Sequence, residues 1–140
     1  MTAALVIIAL VAASTVLGLL WRRSQGRVHR SDGTRRISAA DLPGVNRLAA
    51  GATLLQLSTD VCAACVPTRA LLGSIAAGRA DVTHVDVDLT QHPGLARRFN
   101  VMQTPTTLIL DRSGVVRSRI GGAPRRDLLT AELARILETP

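Results

Sequence analysis

Cys62 and Cys65 are the only cysteines in a chain of 140 residues, and Ala63 and Ala64 separate them. Two thiols at this spacing can close a disulfide on themselves and open it again, which is the chemistry of thiol–disulfide exchange. Other uses of the pair fit less well. A zinc site needs a second pair of ligands, and His29, His84 and His92 are too scattered to supply one, so no metal is expected. A disulfide-stapled scaffold uses four or more cysteines in place of a core. A purely structural bridge is disfavoured between residues so close in sequence.

The elements around the pair can be read from pattern. Thr53–Ser58 is an apolar, strand-like run just before Cys62, and a helical pattern follows through Cys65, Leu71, Leu72 and Ile75, stopping near Gly78. Pro67 falls in the first turn of that helix, where its missing N–H has no partner to lose. Cys62 is thus expected at the helix mouth and Cys65 one turn in. There the helix dipole and the unpaired N–H groups favour a thiolate, so Cys62 is the expected nucleophile and Cys65 the resolving thiol. Helical i,i+3 side chains lie about 5–6 Å apart at Cβ, against about 3.8 Å in a relaxed disulfide, so the bond forms with adjustment and reversibly.

Val82–Val87 alternates and is β-branched, which makes a βαβ unit with a right-handed crossover. A short helix is expected around His92–Phe99, then strands at Thr106–Leu110 and Val115–Ile120 joined by the turn-forming Asp111–Gly114. Gly121 and Gly122 break the pattern, and Arg125–Glu138 places Leu128, Leu129, Leu133, Ile136 and Leu137 on one helical face. Ser38–Asp41 reads as a short helix ended by Pro43–Gly44, and Gly26–Gly33 as a linker. The result is an α/β chain, a mixed central sheet flanked by helices.

Residues 53–137 resemble the thioredoxin family. The resemblance rests on the strand before Cys62, the Cys62-Ala63-Ala64-Cys65 motif at a helix start, Val85-Asp86-Val87-Asp88, Thr104-Pro105-Thr106, Gly121 and the final helix. It implies a thioredoxin fold, and a cis Thr104–Pro105 bond packed beside the cysteines with Thr104 backbone pairing to the bound substrate. The implied partners are disulfide-containing protein substrates and a thiol or disulfide electron-donor protein, and no cofactor is expected. Four places depart from the commonest family pattern. Val61 replaces a Trp, Ala63-Ala64 replaces Gly-Pro, Gln56 stands where an Asp is often buried to help the second cysteine lose its proton, and His84 stands where a Lys often accompanies it. Asp86 and Asp88 read as solvated or capping residues.

The N-terminus is of another kind. Thr2–Trp21 has no charged side chain and is rich in Ala, Leu, Val and Ile. Twenty helical residues rise about 30 Å, the thickness of the hydrocarbon core. Residues 1–21 are therefore read as one transmembrane helix, anchored to membrane lipids, with Trp21 at the interface. A cleaved signal peptide would want a basic residue before the apolar stretch and a small-x-small site after it, and neither is present. Residues 22–37 are read as a basic juxtamembrane segment and linker, with Arg22, Arg23, Arg27, Arg30, Arg35 and Arg36 against Asp32, and residues 38–140 as the thioredoxin-like domain. By the positive-inside rule the chain is a single-pass protein of the cell membrane with its domain in the cytoplasm. The formal charge of +7 is carried by arginine alone and sits mostly in that segment. Without interleaved aromatics the segment does not read as a nucleic-acid arm.

These observations predict a membrane-anchored thiol–disulfide oxidoreductase. Two alternatives stand beside it: an outward-facing reductase serving exported proteins or cytochrome maturation, and a non-catalytic tethered binding module whose cysteines are incidental or hold copper transiently. Substrate, potential and oligomeric state are left open.

Overall fold

In the computed structural model, which describes residues 2–139, every residue of the strand before the cysteines is buried. Met1 and Pro140, at the ends of the expected segments, and the Arg23 side chain of the expected basic flank lie outside the described residues. That strand, β2 (Ala52–Ser58), carries Leu54 toward one face and Leu55 and Leu57 toward the other, so it requires cover on both sides. It pairs in parallel with β3 (Val82–Asp88) and antiparallel with β4 (Thr106–Asp111). β4 turns back into β5 (Val116–Gly121). In that hairpin the Asp111 carboxylate accepts hydrogen bonds from the N–H groups of Ser113 (2.9 Å) and Val115 (3.0 Å), and Gly114 has φ +79° with its Cα facing the Ile37 carbonyl, where no side chain fits.

The sheet is five-stranded, in the order β1-β5-β4-β2-β3, where β1 is Val28–Arg30. This strand corrects the reading of Gly26–Gly33 as a linker. Val28 lies opposite Ile120 and Arg30 opposite Ser118, and the Arg30 guanidinium reaches the Glu132 carboxylate at 3.4 Å. The open edge of β5 offers backbone donors and acceptors that need partners, and three residues are too few for an alternating pattern to announce them. The folded body also takes in residues before 38. Val116 N–H donates to the Arg35 carbonyl at 2.8 Å, and Ile37 is fully buried.

One face of the sheet is covered by α2 (Cys65–Ala77) and α4 (Arg126–Glu138), which pack Leu72, Ile75, Leu129, Leu133 and Ile136 on Leu54, Ile109 and Ile120. On α4 the buried stripe holds Glu132 in place of the expected Leu128 and Leu137, which are half-buried. Glu132 is tolerated there because Arg135, Arg30 and the Ser118 hydroxyl share its carboxylate, holding it below the usual carboxylate range. On the other face Phe99, following α3 (Pro93–Arg98), joins Ile37 and Leu42 over Leu55, Leu57, Leu108 and Leu110. The helix expected at Ser38–Asp41 is a single 3-10 turn, Ala39–Asp41. Asp41 accepts from the N–H and hydroxyl of Ser38 (both 2.7 Å) and from Arg98 (2.6 Å), which brings its carboxyl down to about 2.

α1 (Thr2–Ser24) is exposed over Thr2–Arg22, a stretch long and apolar enough to cross a membrane, properties shared by signal sequences.

Phe99 is the single large aromatic of the core, so Phe99→Ala is expected to cost about 3–5 kcal/mol, read as a lowered urea midpoint at unchanged slope.

Candidate functional site

β2 ends at Ser58, and the chain turns before it becomes helical. Cys62 N–H donates to the Thr59 carbonyl (3.2 Å) and Cys65 N–H to the Cys62 carbonyl (3.0 Å). α2 begins at Cys65, with Ala64 as N-cap, so Cys62 lies in the turn ahead of the helix and not on its first turn. The first helical bonds explain the boundary: the Ala64 carbonyl accepts from the Thr68 N–H (3.3 Å) and hydroxyl (2.8 Å). Pro67 sits at the third helical position, as its chemistry allows.

Cys62 and Cys65 form a disulfide with Cα atoms 5.3 Å apart. The two sulfurs are unlike in access. Cys62 is half-buried, whereas Cys65 is only 2% exposed, so an external thiol meets Cys62 first.

The Thr104–Pro105 loop lies at the same end of the sheet, because Leu57 is paired with Thr106 across β2 and β4. The Thr104–Pro105 bond is cis, Pro105 is buried, and the Pro105 carbonyl accepts from Gly122 N–H at 2.8 Å. The Thr104 hydroxyl is 3.2 Å from the hydroxyl of Thr59, three residues ahead of Cys62. The structure thus brings Cys62, Cys65, Thr104 and Pro105 into one cluster, with Thr59 as a link that pattern reading does not single out.

Behind Cys65 lies a polar pair. Gln56 is fully buried, donates through Nε2 to the Cys65 carbonyl (3.0 Å), and presents Oε1 to His84 Nε2 at 3.2 Å. With the carboxamide so oriented, His84 carries its proton on Nε2 and donates to Gln56. Burial pushes the imidazole below its ordinary value; Asp86 pulls the other way and Arg69 adds to the lowering. Asp86 itself accepts from the Ser58 hydroxyl (2.6 Å) and pairs with Arg69, so it is a half-buried ion-pair partner and not the solvated residue expected. Thr107, opposite Gln56 in the β2–β4 register, keeps a buried hydroxyl with no partner among the described residues. Near Cys62, Thr90 N–H holds the Asp88 carboxylate (2.8 Å), and the Asp88 charge pushes the neighbouring exposed Asp60 carboxyl upward.

The rim is apolar. Val61, Met102 and Val66 are 96%, 85% and 64% exposed, beside the cysteines or in the loop leading to Pro105. Their signal in the sequence is weak, since isolated apolar loop residues are common. All three stand at the end of the sheet that carries the disulfide. Among the described residues no group of three His, Cys, Asp or Glu side chains forms a metal site.

No protein-family model and no curated protein sequence matches this chain. Solved structures do. The crystal structure of thioredoxin NaTrxh from Nicotiana alata is similar with TM-score 0.56 and 24% identity, over 64% of this chain and 76% of that one. Thioredoxin-2 of the malaria parasite, described as a component of its protein secretion machinery, gives TM-score 0.57 and 23% identity over 66% of this chain and 89% of its own. The oxidized form of mitochondrial thioredoxin 3 from Saccharomyces cerevisiae gives 0.54 and 20% over 61% and 78%.

The chain has the thioredoxin fold. Within that fold the cis bond implied by the resemblance is present at Thr104–Pro105, and Val61, Ala63 and Ala64 are accommodated in the redox turn. The place where the family often buries Asp beside Lys is held by the Gln56–His84 pair, which is uncharged when His84 is neutral.

Gln56→Leu would strand the Cys65 carbonyl and His84 Nε2–H in a buried setting, and is expected to lower stability by about 1–3 kcal/mol in urea unfolding. The lowered His84 value also fixes a sign. Its contribution to stability is whole above the unfolded value near 6.5 and is lost as pH falls through the folded value, so His84→Gln should flatten the stability profile as pH falls below about 6.5.

Proposed function

We propose that this chain is a membrane-anchored thiol–disulfide oxidoreductase that exchanges disulfides with protein substrates through Cys62 and Cys65. The observation that carries this reading is the asymmetry of the pair: an accessible Cys62 and an enclosed Cys65, joined as a disulfide beside the Thr104–Pro105 loop. In the reducing direction the Cys62 thiolate attacks one sulfur of a target disulfide. A mixed disulfide forms and the other target sulfur leaves as a thiolate. Cys65, deprotonated, then attacks Cys62 Sγ, which restores the Cys62–Cys65 bond and releases the second target thiolate, two electrons having passed to the target. Run backward, the same steps oxidise a dithiol.

The local structure supports these roles. The start of α2 directs N–H groups and its positive end toward the redox turn, which favours a thiolate there. Thr104, which precedes the cis bond, is the residue that would pair its backbone with a substrate segment, and the exposed Val61, Val66 and Met102 give that segment apolar surface to cover. Electrons would reach Cys62 and Cys65 from another thiol or disulfide protein. The apolar α1 and the basic residues after it support an anchor with the domain on the cytoplasmic side.

Cys62→Ser is expected to abolish reduction of a peptide disulfide by the full chain, while Cys65→Ser leaves the first attack and accumulates a mixed disulfide visible on a non-reducing gel. Retained turnover in Cys62→Ser would exclude the mechanism. A membrane-impermeant thiol reagent is expected to leave Cys62 unlabelled in intact cells and to label it in inverted vesicles; the reverse pattern moves the domain to the outer face.

A further inference from the structure

The apolar helix joins the domain at the same end of the sheet as the disulfide. α1 stops at Ser24, and Gly26 N–H already donates to the Gly121 carbonyl at 2.9 Å. β1 then runs away from that point, antiparallel to β5. Gly121 lies opposite Thr106, the residue after Pro105, and Thr106 lies opposite Leu57 near the end of β2. Register therefore places the exit of α1, the Pro105 loop and the redox turn on one end, and the Arg112–Gly114 hairpin tip on the other.

The connection has little slack. Between α1 and β1 there are only Gln25, Gly26 and Arg27, which extended span about 10 Å. Gln25 covers Gly122, where a Cβ would come within 2.0 Å of Gln25 Oε1, and a Cβ on Gly26 would lie 2.4 Å from the Ala123 carbonyl oxygen. Gly122 in turn bonds the Pro105 carbonyl. The first residues beyond α1 are thus packed on the backbone that holds Pro105.

The Thr2–Arg22 stretch of α1 is not buried against the domain, and a domain with this many charges cannot enter hydrocarbon. With α1 in the bilayer, the end of the sheet that receives it is the end next to the headgroups. The redox turn is displaced sideways from the anchor by three strand spacings, about 14 Å, whereas the hairpin tip is a strand length farther out, about 20 Å. Charge agrees with this placement. Arg22 and Arg27 flank the short link into β1 at this end, where anionic headgroups attract them, while Asp60 follows β2 and Asp88 ends β3. Val61, Val66 and Met102 are exposed at the same end.

We infer that the Cys62–Cys65 site is held at the membrane surface and that its substrate is a cysteine pair of an integral membrane protein, exposed at headgroup level. The inference rests on the proposed exchange activity and anchor. The step is the one given above with the membrane protein's disulfide as acceptor: Cys62 and Cys65 give up two electrons, the partner's S–S bond breaks, and its two thiolates take protons from water.

The test uses the full chain in phospholipid vesicles. A Cys62→Ser, Cys65→Ser background receives either Val61→Cys or Ser113→Cys, each carrying a nitroxide, with nickel chelated to lipid headgroups as relaxing agent. Strong relaxation at position 61 and weak relaxation at 113 is expected; equal or reversed values overturn the placement without recourse to activity. The reduced, otherwise unaltered chain is then offered a transmembrane peptide with a disulfide loop at headgroup level, or the same loop raised on a helical spacer of about 40 Å. Exchange with the low loop is expected to be at least about tenfold faster, and a flexible insert of about twelve residues before Gln25 should erase the preference. Equal rates for the two loops in the uninserted chain overturn the substrate assignment. A soluble peptide disulfide separates the causes. No Cys62-dependent exchange with it overturns the redox reading, and release of the chain by alkaline carbonate overturns the anchor; either result removes the inference as well.

Discussion

Burial of β2 on both faces is the constraint on which the rest depends. A strand with Leu54 on one side and Leu55 and Leu57 on the other cannot lie at a surface, so helices must cover both sides and strands must flank both edges. Once β3 and β4 occupy those edges, the turn that leaves Ser58 and the loop that enters Thr106 are forced side by side. The redox turn and cis Pro105 meet because two backbones share hydrogen bonds, with no direct bond between cysteine and proline required.

The polar groups admitted to this interior are each tied to something. Gln56 spends both ends of its carboxamide, on Cys65 and on His84; Glu132 is shared among Arg30, Arg135 and Ser118. Unpaired, such groups would be costly to bury. The two clusters also join parts of the chain that hydrophobic packing alone would leave loose. Gln56 couples the start of α2 to β3, and Glu132 clips β1, the strand that follows α1, onto α4. A carboxylate at position 56 would be a buried charge with no proton to give the Cys65 carbonyl; the carboxamide donates there with no charge of its own.

The short path from α1 to β1 changes the meaning of the tether. A long polar linker would let the domain turn freely about α1, whereas three residues packed on Gly121–Ala123 hold the exit of α1 to one end of the sheet. On the proposed reading of α1 as an anchor, packing at two glycines also sets which end of the sheet faces the bilayer. On that proposal the exposed Val61, Val66 and Met102 would face other membrane proteins as well as solvent.

Much was legible in residue order. The cysteine pair, the strand before it, the βαβ unit, the hairpin at Asp111–Gly114 and the last helix are local patterns, decided by alternation, helical spacing and turn chemistry over a few residues, and the structure has them within a residue or two. The apolar run at the N-terminus was equally plain. What pattern could not decide was set by contacts distant in sequence. Val28–Arg30 is a strand only because β5 has an open edge; Ser38–Asp41 stays a single turn because Asp41 is pinned by Ser38 and Arg98; Glu132 is buried because Ser118 and Arg30, both distant in sequence, join Arg135 on its carboxylate. The difference in access between Cys62 and Cys65, and the common end shared by the disulfide and the exit of α1, belong to the same class. They depend on strand register, which is settled by burial of two faces at once and has no expression in any short stretch of chain.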